Sequence, residues 1–294
     1  MTHDAPRSED VFALRPEGFR RMRLTRWGAR RADGPPPTLC LHAFSRNARD
    51  FDALAKTLAA DRPVICPDVL GRGRSDWLDD STGYTPAAYC GDMAAVFARI
   101  DEPQVDWVGT SMGGLVGMLL AAQPKSPIRR LVLNDVGPFL AAGELQRIAP
   151  YVGGAPRDAD AAALEARMRS TYAAFGADLD GDYWRRMTRH GARTTPSGDD
   201  LALAYDPAIS APLDALETIQ DIDLWAIWDA ITVPTLVIRG ADSTLLTADT
   251  LEAMGGRGPG ARGLVDALII PDAGHAPAMA DAETCGKIRS FLSD

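Results

Sequence analysis

The sequence predicts an α/β fold in which a mostly parallel, doubly wound sheet is covered by helices on both faces. Short apolar runs typical of buried strands alternate with segments of helical period along most of the chain, and this alternation is typical of parallel sheets buried on both faces. At one junction, Val105 to Ala122, a buried strand passes into an apolar helix through a turn flanked by glycines. The same fold explains both observations.

The predicted strands are short and separated by enough residues to hold helices. Phe19–Trp27 alternates basic and apolar residues, as an antiparallel opening strand would. The other predicted strands are Thr38–His42, Pro63–Asp68, Val105–Val108, Arg130–Asp135, Pro234–Gly240 and Leu264–Ile270. The predicted helices are Phe51–Ala60, Ala87–Ile100, Leu115–Ala122 and Thr284–Leu292.

The pattern changes in residues 137–231. This stretch contains helical segments rich in Ala, Arg and Glu, turns rich in Asp and Gly, several aromatic residues and no convincing buried strand. It predicts a helical cap inserted over the carboxyl edge of the sheet, with residues 1–136 and 232–294 forming the core. A run of ordinary packing helices is the alternative interpretation.

Length and composition agree with an ordinary globular domain. The chain has 294 residues, 46% of them hydrophobic and 24% charged, and a net charge of −9, which provides no basic surface for nucleic acid or an anionic membrane. Apolar runs stay below the roughly 18 residues of a membrane span, and the N-terminus lacks the apolar core of a signal peptide, so we expect a cytoplasmic protein. The absence of C-x-x-C spacing, a metal-ligand constellation and a dinucleotide fingerprint predicts no metal and no cofactor.

Ser111 lies in the sequence Gly109-Thr110-Ser111-Met112-Gly113, between the predicted strand and helix. A turn this tight requires neighbours without bulk and lifts the serine hydroxyl above the sheet. The helix that starts here also directs free N–H groups and its positive end toward the group that the serine attacks. The alternative is a glycine-rich loop whose serine caps the helix. The strand-turn-helix context favours a nucleophile.

Five motifs in order make the chain resemble the α/β-hydrolase superfamily over nearly its whole length. Besides the turn at Ser111, they are Leu41-His42-Ala43-Phe44-Ser45, Asp68-Val69-Leu70-Gly71-Arg72-Gly73-Arg74-Ser75-Asp76, Asn134-Asp135-Val136-Gly137-Pro138 and Asp272-Ala273-Gly274-His275. The resemblance implies that fold, a helical cap and a Ser-His-acid triad that needs no cofactor.

A catalytic serine needs an imidazole as its base, and the chain has four histidines. His3 lies in the N-terminal tail and His190 in the inserted segment. His42 ends a strand before the serine, where the resemblance implies a role in shaping a loop. His275 follows the last strand and fits the order Ser, Asp, His.

The oxyanion formed during such a reaction needs two preorganised donors. By the resemblance, these are the N–H groups of Met112, directly after the serine, and Phe44, in the loop after an earlier strand. Ala43 replaces the usual glycine of that loop, and Ser45 offers a further hydroxyl.

The acid has two candidate positions. At the commoner family position, after strand 236–240, the residue is Ser243, and Asp242 comes one residue early. The other position, the end of the strand after the serine helix, holds Asp135. We favour Asp135 and keep Asp242 as the alternative.

These residues predict a serine hydrolase that cleaves an ester-like bond of a small molecule through an acyl-enzyme. Hydrolysis of a C–C bond in a diketone and lactone opening are alternatives with the same triad. A non-hydrolytic ligand-binding protein or a lyase on the same scaffold is an alternative of a different class, because a fold does not fix function.

Overall fold

The computed structural model describes residues 5–153, 156–176, 179–214 and 220–293. Its centre is an eight-stranded sheet. The strands of this sheet are β1 Arg7–Arg15, β2 Gly18–Trp27, β3 Thr38–Leu41, β4 Val64–Pro67, β5 Val105–Thr110, β6 Ile128–Asn134, β11 Thr235–Gly240 and β12 Val265–Ile270. Their order in the sheet is β1-β2-β4-β3-β5-β6-β11-β12. β2 runs antiparallel to both β1 and β4, and the neighbours from β4 to β12 pair in parallel.

Helices cover both faces of the sheet. Two apolar clusters form the core. One includes the completely buried residues Leu39, Trp107 and Leu131. The other includes the completely buried residues Val64, Val108 and Ile238. The core helices are α1 Asp52–Leu58, α2 Pro86–Ile100, α3 Met112–Ala121, α9 Ala248–Gly256 and α10 Ala282–Ser293. Three-residue and four-residue 3₁₀ turns lie at Ala48–Phe51, Ser81–Gly83 and Gly260–Arg262. The predicted fold class is confirmed.

The N-terminal strand β1 is missing from the sequence prediction. It forms a hairpin with β2 in which Arg15 is opposite Gly18. Its alternation is obscured because Arg15, one of its buried side chains, is charged; it forms a buried ion pair with Asp92 of α2, at 2.6 Å. A buried charge that is neutralised by a distant partner cannot be recognised from local periodicity.

The segment between β6 and β11 contains helices, as the sequence predicts, and also two short strand pairs that the sequence does not indicate. Its helices are α4 Ala142–Gly153, α5 Ala161–Thr171, α6 Gly181–Gly191, α7 Ala211–Asp214 and α8 Trp225–Ala230, with 3₁₀ turns at Ala173–Phe175 and Pro207–Ser210. Its strands are β7 Phe139–Leu140, β8 Ala192–Thr194, β9 Leu201–Leu203 and β10 Ile222–Asp223, paired as β7 with β10 and β8 with β9. Strands of two or three residues are too short to show a period.

Because β3, β5, β6 and β12 are all parallel, the loops that follow them emerge at the same edge of the sheet. That edge therefore collects the residues that the motifs single out. In the part of the chain that the model describes, no helix has the length and apolar character needed to cross a membrane.

Candidate active site

Ser111 occupies a strained turn between β5 and α3. Its φ of 51° and ψ of −114° lie in a region that residues with a side chain rarely adopt. Glycines make the turn possible: a Cβ on Gly109 would lie 2.3 Å from the carbonyl oxygen of Gly113, and a Cβ on Gly113 would lie 2.0 Å from that of Leu41. The backbone contacts therefore fix where the hydroxyl stands.

The serine hydroxyl is the first member of a chain of hydrogen bonds. Ser111 Oγ lies 3.0 Å from His275 Nε2, and His275 Nδ1 lies 2.7 Å from Asp135 Oδ2. Because a carboxylate only accepts, Nδ1 carries the ring proton and donates it, which leaves Nε2 to accept from the hydroxyl. The imidazole is therefore oriented to remove the serine proton.

The Asp135 carboxylate is fully buried, and several donors hold it. Its Oδ1 accepts from the Gly240 N–H at 3.0 Å. Its Oδ2 accepts from the Ser243 hydroxyl at 2.6 Å and from the Ala276 N–H at 3.3 Å, besides His275. These hydrogen bonds fix the direction of the carboxylate toward the ring.

The two candidate acids are placed differently. The Asp242 side chain is exposed, and the Asp242 backbone N–H donates to the Ala273 carbonyl at 2.9 Å. Ser243, which holds the commoner acid position, instead binds the carboxylate of Asp135. The sequence analysis did not predict this supporting role of Ser243. A hydroxyl residue at the commoner acid position of the family was the signal that could have indicated it.

The two candidate oxyanion donors are Phe44 and Met112. Among the described residues, neither N–H has a hydrogen-bond acceptor. The fully buried Arg72 holds both residues: its Nε donates to the Phe44 carbonyl at 2.9 Å, and its Nη2 lies 3.7 Å from Met112 Sδ. The free N–H groups are therefore available to a substrate atom while the rest of each residue is fixed.

His42 and Asp68 support the loop that carries Phe44. His42 Nε2 accepts from the Val69 N–H at 3.0 Å, and its Nδ1 lies 2.7 Å from the Ala43 carbonyl, so the ring is neutral. Complete burial lowers the pKa of His42 to about 3. Asp68 accepts from the Ala48 N–H at 2.8 Å, and burial raises its pKa to about 6.

The inserted segment lies against the site. Tyr172 OH is 3.2 Å from Ser45 Oγ, in the loop that carries Phe44. The Ala174 carbonyl accepts from the N–H of Gly274, the residue before His275, at 2.8 Å. Both loops that surround the serine are thus in contact with the same short stretch of the insertion.

Known proteins share this architecture. The family model described as the alpha/beta hydrolase fold matches residues 36–282. A 3-hydroxybutyrate-oligomer hydrolase of Cupriavidus necator is 40% identical over 283 residues, which cover 94% of each chain. Among solved structures, a putative hydrolase from Rickettsia typhi superposes with a TM-score of 0.86 at 29% identity, covering 98% of both chains. An alpha/beta hydrolase from Novosphingobium aromaticivorans superposes with a TM-score of 0.84 at 34% identity, covering 97% of this chain and 98% of that one.

The chain therefore belongs to the α/β-hydrolase family, as the motifs predict. Relatives of the chain include the 3-hydroxybutyrate-oligomer hydrolase and esterases. The protein is an enzyme that hydrolyses ester bonds.

Proposed function

We propose that the enzyme hydrolyses short linear oligoesters of 3-hydroxy acids through an acyl-enzyme on Ser111. The observation that carries the chemistry is the continuous chain from Ser111 Oγ through His275 to Asp135, with distances of 3.0 Å and 2.7 Å. The substrate class rests on the relative that is 40% identical over 94% of both chains and is named for 3-hydroxybutyrate oligomers.

The acylation half of the reaction follows from this geometry. His275 Nε2 takes the hydroxyl proton of Ser111 as Oγ forms a bond to the ester carbonyl carbon. The N–H groups of Phe44 and Met112 bind the oxyanion, and Asp135 stabilises the imidazolium. When the intermediate collapses, the C–O bond to the alcohol breaks and His275 returns the proton to that oxygen. The leaving group is then a shortened hydroxy acid.

In the deacylation half, water gives a proton to His275 Nε2 and its oxygen attacks the acyl carbon. Collapse of the second tetrahedral intermediate breaks the bond to Ser111 Oγ, which regains the proton. The acid product leaves, and no redox agent or metal ion enters the balance. All of the proton transfers use one ring nitrogen.

We also propose that residues 137–231 form a cap whose side chains select the small-molecule substrate. The support for this is that the segment leaves the core after β6, returns before β11 and contacts both loops that surround Ser111. A cap in this place selects among acyl groups by excluding water and shaping the pocket.

The decisive experiment measures 3-hydroxybutyrate release from its linear dimer and trimer, with wild type and Ser111→Ala side by side. We expect release by wild type only, together with labelling of wild type alone by a fluorophosphonate probe. A simple p-nitrophenyl ester, a lactone and a diketone complete the panel. Labelling and p-nitrophenyl ester turnover without oligomer turnover would refute the substrate class and leave the chemistry in place.

A further inference from the structure

One turn of the inserted segment touches both catalytic loops. We call Tyr172–Phe175 the bridging turn. Its carbonyl groups bind the loop that carries the base: the Ala174 carbonyl accepts from the Gly274 N–H at 2.8 Å, and the Phe175 carbonyl accepts from the Ala278 N–H at 3.0 Å. These two N–H groups lie on opposite sides of His275 in the chain. The turn therefore holds the base loop, residues 271–281 between β12 and α10, on both sides of His275.

The base loop needs external support because its own backbone is strained. Asp272, Ala276 and Met279 have φ angles of 50°, 65° and 41°, in the left-handed region that residues with a side chain avoid. Such a conformation persists when the surroundings fix it at several points.

The core provides one set of these supports, since Asn134 Nδ2 donates to the Pro277 carbonyl at 2.9 Å and the Ala276 N–H donates to Asp135 at 3.3 Å. The bridging turn provides the others. The loop that carries the base is thus clamped from two sides, one belonging to the sheet and one to the insertion.

The bridging turn is itself anchored on the loop that carries Phe44. Tyr172 OH is 3.2 Å from Ser45 Oγ, and the guanidinium carbon of Arg46 lies 4.6 Å from the centre of the Tyr172 ring. Arg46 is buried and binds the Asp50 carboxylate at 2.7 Å. A hydrogen bond and a cation–π contact therefore connect the same turn to the other half of the site.

We propose that the bridging turn positions His275 relative to Ser111, so that the insertion takes part in the proton-transfer geometry besides covering the substrate. This inference rests on the proposed triad. Ala174 and Phe175 are positioning residues, which act through Gly274 and Ala278. Displacing the turn moves the imidazole off the line between Ser111 Oγ and the Asp135 carboxylate.

Gly274 allows this to be tested with one methyl group. A Cβ on Gly274 would lie 3.1 Å from the Ala174 Cβ, and the next nearest atoms of Ala174 are 3.8 Å away. Gly274→Ala therefore pushes against a single methyl group. Removing that methyl group in the double variant Gly274→Ala/Ala174→Gly restores the space. The matched control is Gly286→Ala, at a helix position where a Cβ meets nothing within 4 Å.

For Gly274→Ala we expect kcat on a p-nitrophenyl ester to fall on the order of 10-fold to 10²-fold, the effect of a small misplacement, with KM nearly unchanged. The acid limb of its kcat/KM profile moves to lower pH, because an imidazolium turned away from the carboxylate is less stabilised. The double variant recovers both values, and Gly286→Ala resembles wild type.

The second readout needs no substrate. The ring protons of His275 are followed against pH by NMR in wild type, Gly274→Ala and the double variant, with signals assigned by substituting each of the four histidines. We expect the His275 titration curve to move in the single variant and return in the double variant.

Tyr172→Phe, which leaves every backbone group in place, tests the other anchor and guards against misfolding of Gly274→Ala. We expect it to lower kcat less than Gly274→Ala and to move the His275 titration curve in the same direction. Wild-type kinetics and titration in both Gly274→Ala and Tyr172→Phe would overturn the inference, as would a double variant that stays as impaired as the single one. If wild type hydrolyses no ester while the NMR changes and their rescue are observed, the proposed function fails and the positioning role stands.

Discussion

The carboxyl edge of the sheet contains two His and Asp sets with different surroundings. At the ends of β6 and β12, His275 and Asp135 bind each other, and the ring also reaches Ser111. After β3, the His42 ring instead contacts the Val69 N–H and the Ala43 carbonyl. After β4, the Asp68 carboxylate accepts from backbone N–H groups. Residue type alone therefore does not identify a catalytic group. The bonding partner distinguishes the set for which we propose proton transfer from the set that holds a loop in shape.

The largest expected difference between the two sets is seen when the base is removed. His275→Ala eliminates the only group bonded to Ser111 Oγ among the described residues, so kcat should fall on the order of 10⁶-fold, as in other triads. His190→Ala is the matched control, because that ring lies beside Arg49 and outside the chain of hydrogen bonds. Ester hydrolysis by purified proteins measures both. Near-normal rates for the His275 variant would remove this residue from the mechanism.

The second comparison concerns the acid. Asp135→Asn keeps the shape of the side chain and loses the charge that fixes the ring tautomer, so kcat should fall on the order of 10⁴-fold. The exposed Asp242 is the matched control, and Asp242→Asn should stay within about twofold of wild type, as surface substitutions do. If the Asp242 variant is the impaired one, the roles of the two aspartates have to be exchanged.

A smaller loss is expected from Ser243→Ala. This change removes the 2.6 Å hydrogen bond to Asp135 Oδ2 and leaves the Gly240 and His275 donors, so we expect a loss of about tenfold in kcat, the scale of one bond to a charged group. Thr244→Ala removes a hydroxyl from the next position, where the side chain binds Glu144 instead. Equal rates for the two variants would show that the bond between Ser243 and the acid does not contribute to catalysis.

The last prediction tests the loop-shaping set through stability. The pKa of His42 is lowered by burial from 6.5 to about 3, so between these pH values the unfolded state binds a proton that the folded state does not. The free energy of unfolding therefore falls as the pH falls below 6.5, by up to about 1.4 kcal/mol per pH unit from this residue.

Urea unfolding of wild type and His42→Asn at several pH values between 5 and 7 measures this contribution, because the other histidines are common to both proteins. We expect a shallower pH dependence for the variant. Identical slopes would mean that His42 is not the neutral, buried ring that its two backbone contacts indicate.

The sequence predicted those parts of the molecule that short segments encode. The strand-turn-helix at Ser111 is local in sequence, and Gly109 is required by the backbone of Gly113 and Gly114 within the same turn. The core strands predicted at β3, β4, β5 and β11 are confirmed, because each is a short and mostly apolar run between turn residues.

The contacts that the sequence did not predict are long-range or made by backbone atoms. Ser243 is 108 residues from the carboxylate that it binds, and no local pattern encodes that distance. The bridging turn acts through carbonyl groups, which every residue has, so its side chains do not identify it. The strand β1 was missed because its buried Arg15 is neutralised by a residue 77 positions away.

The close approach of Gly113 to strand β3 has a consequence for laboratory evolution of this enzyme. Since a Cβ there would lie 2.0 Å from the Leu41 carbonyl, even alanine is excluded, and the position of the nucleophile does not depend on how the pocket side chains are packed. Libraries aimed at new acyl groups can therefore vary the insertion outside the bridging turn without moving Ser111. Selected variants should accumulate changes there, while the bridging turn and the glycines on either side of Ser111 stay as they are.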